Sequence, residues 1–227
     1  MSRPVPRTRA LRGFLVALLA TALVVGTGSA LAARGDPKKE LVPADSARAR
    51  TILLKKSDLA PGFNGMPKSS VEVDSYCKAL DLSDLTLTGE AESPNFARSA
   101  VFVSSAAQVY ESAADARASW RRGASPAGER CARDVLRREF AEEGVELTSF
   151  RRIAFPRVAE RSAAYRVEVS AQSQGITVPL VLEFVSMMHA RAHAGVFFTG
   201  LTAVPRSQQL PLVRLVARRM AKAMRGA

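Results

Sequence analysis

Past Gly144 the spacing of apolar residues changes from helical to alternating, and this switch limits the fold more than any other feature of the chain. Tyr165, Val167 and Val169 alternate with Arg166, Glu168 and Ser170, the period-two pattern of a half-buried strand. Ser173-Gln174-Gly175 reads as a hairpin turn, and Ile176 to Met188 as a strongly apolar strand interrupted chiefly by Glu183. Gly195 to Ala203 is apolar on both faces, as in a central strand. With a strand at about 147–155 these make four strands joined by short turns, hence an antiparallel meander. Pro205 breaks the last strand, and Ser207 to Met224 reads as a closing amphipathic helix. Its Leu212, Val213, Val216 and Met220 face inward; Arg214, Arg218 and Lys222 form an outward row at i, i+4 and i+8.

Upstream the pattern is mixed. Asp45 can cap a helix running to about Lys56, stopped by Pro61-Gly62. Strands are expected at 85–91 and, after a turn at Ser93-Pro94-Asn95, at 97–110. Ala113, Ala116 and Trp120 fall on one helical stripe that ends at Gly123. Ser125 caps a second helix with Pro126 at its first position. Cys131, Val135, Leu136 and Phe140 line one face of that helix, and Gly144 closes it. The order predicts an α+β fold: a single domain over 45–227, with a curved antiparallel sheet of about six strands and helices packed on it.

The N-terminus determines where that domain works. Arg3, Arg7, Arg9 and Arg12 precede an apolar run from Phe14 to Val25, and small residues then lead to Ala30-Leu31-Ala32. That is the layout of a secretory signal peptide over 1–32, followed by a polar, Pro-containing leader over 33–44. The alternative is an uncleaved anchor, since 14–33 is about the roughly 20 residues that span a bilayer. Either way the folded part lies outside the cytoplasm, secreted or held at the cell envelope.

Export changes how the rest is read. Cleavage leaves Cys77 and Cys131 as an even pair in an oxidising compartment, which implies one disulfide. The whole chain has a net charge of +12, and the part after residue 32 keeps 29 basic and 21 acidic residues. The excess is mostly Arg, scattered rather than blocked. Aromatic residues are few and not interleaved with it, which argues against a nucleic-acid partner. Weak contact with an anionic membrane or wall polymer is compatible with it.

The element order, with a Leu53-Leu54-Lys55-Lys56-Ser57-Asp58-Leu59 segment, a Tyr76-Cys77 pair and a strand running into Val109-Tyr110-Glu111-Ser112-Ala113-Ala114-Asp115-Ala116, resembles the PknH-like extracellular sensor domains of actinobacterial serine/threonine kinases and related exported envelope proteins. The likeness extends over about 45–225. Members of that group often carry more Cys than this chain. The α+β sandwich of PsbP-like exported proteins is a wider resemblance. What the first resemblance implies is a cleft-bearing, non-catalytic binding or sensor-like domain.

Catalytic chemistry finds little support in the residues. A hydrolase, the alternative reading, wants a nucleophile beside a base. Only His189 and His193 are present, and no Gly-x-Ser-x-Gly elbow occurs. His189 and His193, with Glu183 as a conceivable third ligand, form a weak metal pattern on a strand–turn–strand. Glu142-Glu143 and Asp81/Asp84 are carboxylate pairs without a burial signal, and Gly62-Phe63-Asn64-Gly65 lacks the Lys-Ser/Thr of a phosphate loop. Trp120 reads as a core anchor. The expectation is an exported monomer that binds a small ligand, a wall component or a protein, with no cofactor and no catalytic or metal residues.

Overall fold

The structure, a computed structural model, describes residues 35–66, 77–173 and 176–226. The signal-peptide segment and the hairpin tip at Gln174-Gly175 lie outside them. The strands are β1 (Lys38–Lys39), β2 (Asn64–Met66), β3 (Thr86–Glu92), β4 (Asn95–Arg98), β5 (Val101–Tyr110), β6 (Val145–Ile153), β7 (Arg161–Ser173), β8 (Ile176–His189) and β9 (Ala192–Gly200). The helices are α1 (Pro43–Ile52), α2 (Ala113–Gly123), α3 (Pro126–Glu142) and α4 (Arg206–Ala223). The fold is α+β, with one open sheet whose main path runs β1-β3-β5-β9-β8-β7-β6. β4 shares an edge of β5 with β3, and β2 adds to β4. Every pair is antiparallel except β1 with β3.

The predicted meander is β6 to β9, in register over most of its length. Upstream the sheet holds more than expected. The long strand at 97–110 is two strands, β4 and β5, folded back at Ser99, whose φ of 55° is left-handed. Nothing at Arg98-Ser99-Ala100 carries the Gly or Asn that usually marks such a turn. The leader over 33–44 also differs from expectation. Lys38 and Glu40 donate backbone hydrogen bonds to the Leu85 and Leu87 carbonyls (2.9 and 3.0 Å), and Pro43 begins α1. Polar residues pair there because a sheet edge needs backbone donors, not apolar side chains.

Helices cover both faces. α1 and α4 lie on one, closing the main core of Ile52, Val103, Val109, Val185, Met187, Val196, Phe198, Val213, Val216 and Met220. α1 sits so close to β3 that a Cβ on Gly89 would overlap the backbone of Asp45 and Ser46. The other face carries two smaller cores. α2 covers Leu85, Leu87, Tyr110 and Met188 through Ala116, while α3 covers Val167, Val169, Leu180 and Leu182 through Phe140. The α2–α3 turn is tight, since a Cβ on Gly128 would run into the Arg122 carbonyl. Ser125 caps α3 by accepting from the Gly128 N–H at 2.9 Å. Among the described residues no helix is long and apolar enough to cross a membrane.

Candidate functional site

Between the two smaller cores the sheet is left uncovered, because α2 packs on the ends of β5, β8 and β9 around Tyr110 and Met188, and α3 packs toward β6 and β7. The gap is a cleft of about 400 Å³. Its floor follows from strand register. Ala106 pairs with Gly195, Gly195 with Ser186, and Ser186 with Ala163. These four small residues make a trough across β5, β9, β8 and β7, and all four line the cleft. Beside it runs a row of rings, Phe197, Phe184, Tyr165 and Phe150, with successive centroids 6.1, 5.0 and 5.8 Å apart. A Cβ on Gly195 would meet the Phe197 ring at 3.1 Å, so the ring leans over the trough where that side chain is missing.

The opposite wall holds Tyr110, His193 and Trp120. The Trp120 and Tyr110 rings stand edge-on to the imidazole, 6.0 and 5.1 Å away. His193 Nε2 lies 2.8 Å from the Ala116 carbonyl, which can only accept, so Nε2 carries the proton. Burial lowers the His193 pKa to about 4, against the opposing pull of that hydrogen bond, and the ring is neutral at ordinary pH. The Tyr110 and Ser119 hydroxyls bond each other at 2.9 Å. Burial raises the Tyr110 pKa. Burial also raises that of Tyr165, and donation to Glu129 Oε1 at 2.9 Å adds to it. The cleft therefore offers apolar surface and neutral polar groups, with Asp36, Lys39, Glu92 and Glu129 also among its lining.

The α2–α3 turn that roofs this space is tied down at both sides. Cys77 and Cys131 stand at disulfide distance with Cα atoms 6.2 Å apart, joining α3 to the strand-proximal segment. Among the described residues there is no free cysteine. At the end of α2, Arg122 donates to both Asp84 carboxylate oxygens (2.5 and 2.7 Å) and to the Asp81 carbonyl (2.6 Å). The Arg122 hydrogen bonds hold the Asp84 pKa down to about 2.

The sequence candidates fall out as follows. Trp120, expected as a core anchor, packs half-buried against the small core under α2 and also forms a wall of the cleft. His193 faces the cleft, but Glu183 sits on the opposite face of the sheet. There it accepts from Arg166 Nε and Nη2 (2.9 and 2.7 Å) and from the Gln209 amide. His189 ends β8 six residues along that same face. The three are not brought together, and among the described residues no group of three His, Cys, Asp or Glu could hold a metal. Asp81 and Asp84 serve the Arg122 clasp, and Glu142 and Glu143 are exposed at the end of α3. Gly62 takes a φ of 93° just before β2, a turn role. Sequence reasoning missed the ring row and the trough, which exist only once four strands are in register.

No protein-family model matches the chain, and no curated protein matches it. Solved structures similar to it include the following two. One is the extracellular domain of PknH from Mycobacterium tuberculosis: 9% identical, with 78% of this chain and 96% of that chain covered and a TM-score of 0.45. The other is a Pseudomonas aeruginosa protein of unknown function: 18% identical, 63% and 96% covered, TM-score 0.22. The first is a weak, fold-level likeness to a sensor domain. Both TM-scores are low, and neither decides family or function.

Proposed function

We propose that this chain is an exported, non-catalytic binding domain whose cleft takes a small, mostly apolar ligand. The observation that carries this reading is the cleft itself: about 400 Å³ floored by Ala106, Gly195, Ser186 and Ala163 and walled by aromatic rings. Ligand pockets are concave, mainly apolar and supplied with a few placed polar groups, at volumes of about 300–1,000 Å³. The N-terminal layout and the cysteine pair support an extracytoplasmic setting. Binding rather than turnover is supported by the state of the polar groups. His193 spends Nε2 on a backbone carbonyl, and the Ser119 hydroxyl is engaged by Tyr110. A serine hydrolase would need these as base and nucleophile, facing each other.

Trp120 is the only tryptophan and lines the cleft, so its emission reports occupancy directly. A neutral naphthyl fluorophore is expected to bind, quench or shift that emission and raise the melting temperature by mass action. Ser186→Phe fills the trough and is expected to abolish probe binding while the protein remains folded. Saturable binding that is unchanged in Ser186→Phe would place the probe elsewhere and refute the reading, as would absence of binding by any apolar probe of fitting size.

A further inference from the structure

We infer that the outer face of α4 is a docking surface for an anionic lipid bilayer. The charge pattern is unusual. No acidic residue follows Glu183 in the sequence, while seven basic ones do. Three of the seven are used internally. Arg191 clasps Asp45, Arg219 clasps Asp58 (2.6 and 2.8 Å), and Arg206 donates to the Ala154 carbonyl and lies over the Phe155 ring. The other four, Arg214, Arg218, Lys222 and Arg225, are exposed and have no acidic partner among the described residues. Val213, Val216, Ala217 and Met220 bury the inner face of α4 and so fix which way this row points. At about 1.5 Å per residue the row is roughly 17 Å long.

The patch has width as well as length. Arg219 holds the 53–58 turn against α4 through the Leu53 carbonyl and Asp58, and exposed Lys55 and Lys56 lie in that turn. Asp58 is held by Arg219 and its charge also acts on Lys55, which leaves Lys56 as the cation of the turn without an acidic partner among the described residues. α2 and α3 also carry exposed Arg, but there Asp134 pairs with Arg137 and other acids are interspersed. A row of four exposed cations with no acidic partner among the described residues complements the negative surface of an anionic bilayer, where each further cation adds to the attraction. The surface lies across the sheet from the cleft and does not depend on what the cleft binds.

The test is flotation of the exported protein with vesicles of neutral phosphatidylcholine, with and without about 30% phosphatidylglycerol. Binding is expected only to the anionic vesicles, and to fall away as salt rises from about 0.05 to about 0.5 M. Each surface cation contributes about fivefold to partitioning, so Arg214→Gln/Arg218→Gln/Lys222→Gln together should weaken binding about 100-fold. These side chains hold no partner, so the melting temperature should not change. Arg121→Gln/Arg130→Gln/Arg138→Gln removes equal charge from α2 and α3 and should weaken binding much less. Equal loss in both triple variants would mean that only net charge matters, and would overturn the proposal. So would equal binding to neutral vesicles, or binding to soluble polyphosphate without binding to vesicles.

Discussion

Asp45→Asn tests how α1 is held to the sheet. The carboxylate is 4% exposed in the first turn of α1. Arg191 donates to both its oxygens (2.7 Å each), Thr88 Oγ1 donates at 2.7 Å and Arg48 at 2.5 Å. Arg191 also reaches the Tyr110 carbonyl at 2.9 Å, so one guanidinium joins α1, β5 and the β8–β9 turn. Burial alone would raise the Asp45 pKa, but these donors outweigh it and bring it from 3.8 to about 2. Those two values correspond to about 2 kcal/mol of stability tied to ionisation. Asparagine keeps the shape but leaves Arg191, whose side chain is 17% exposed, without a counter-charge. Removing one partner of such a pair costs about 3–5 kcal/mol. Urea denaturation at neutral pH should show that loss. The sign of the pH dependence follows from a depressed carboxylate. Its contribution is complete above the unfolded value of 3.8 and is lost as pH falls toward about 2. The gap between wild type and variant should therefore be flat above about pH 5 and narrow by about 2 kcal/mol on acidification. A loss under about 1 kcal/mol at neutral pH, or a gap that ignores pH, would refute the role given to this cluster.

Two further outcomes are expected. Unreduced exported protein should show no reactive thiol, and Cys77→Ser should lower stability by roughly 4 kcal/mol on the chain-entropy model for a 54-residue separation; two labelled thiols would sink the pairing. In a pH titration followed by NMR, the His193 ring should stay neutral down to about pH 4, and stability should decline as pH falls from 6.5 toward that value, because only the unfolded imidazole takes up the proton. A midpoint near 6.5 would show that the ring is not buried.

Much of the fold was legible because it rests on local rules. Ser125-Pro126 and Gly144 bound α3 as capping chemistry predicts, and Tyr165 to Val169 alternate into β7 as the pleat requires. The Ser99 reversal was not legible, since its left-handed backbone is imposed by the pairing of β4 with β5. Asp45 was read as a helix cap, but Val42 holds that position and the carboxylate turns inward to Arg191, 146 residues away. His193 and Trp120 looked ordinary for the same reason: what they face comes from other strands and helices.

The sequence by itself determined the four helices, the meander past Gly144, the amphipathic faces, the export layout and the cationic row on α4, because each depends on neighbours within a few residues. It also determined that two cysteines were available to pair. Only the tertiary structure decided that a cleft exists. Ala106, Ser186, Gly195 and Ala163 become a trough through strand register, and α2 and α3 leave it open because each is drawn to a different small core. Register and helix placement minimise exposed apolar surface over the whole molecule. No local window contains that sum.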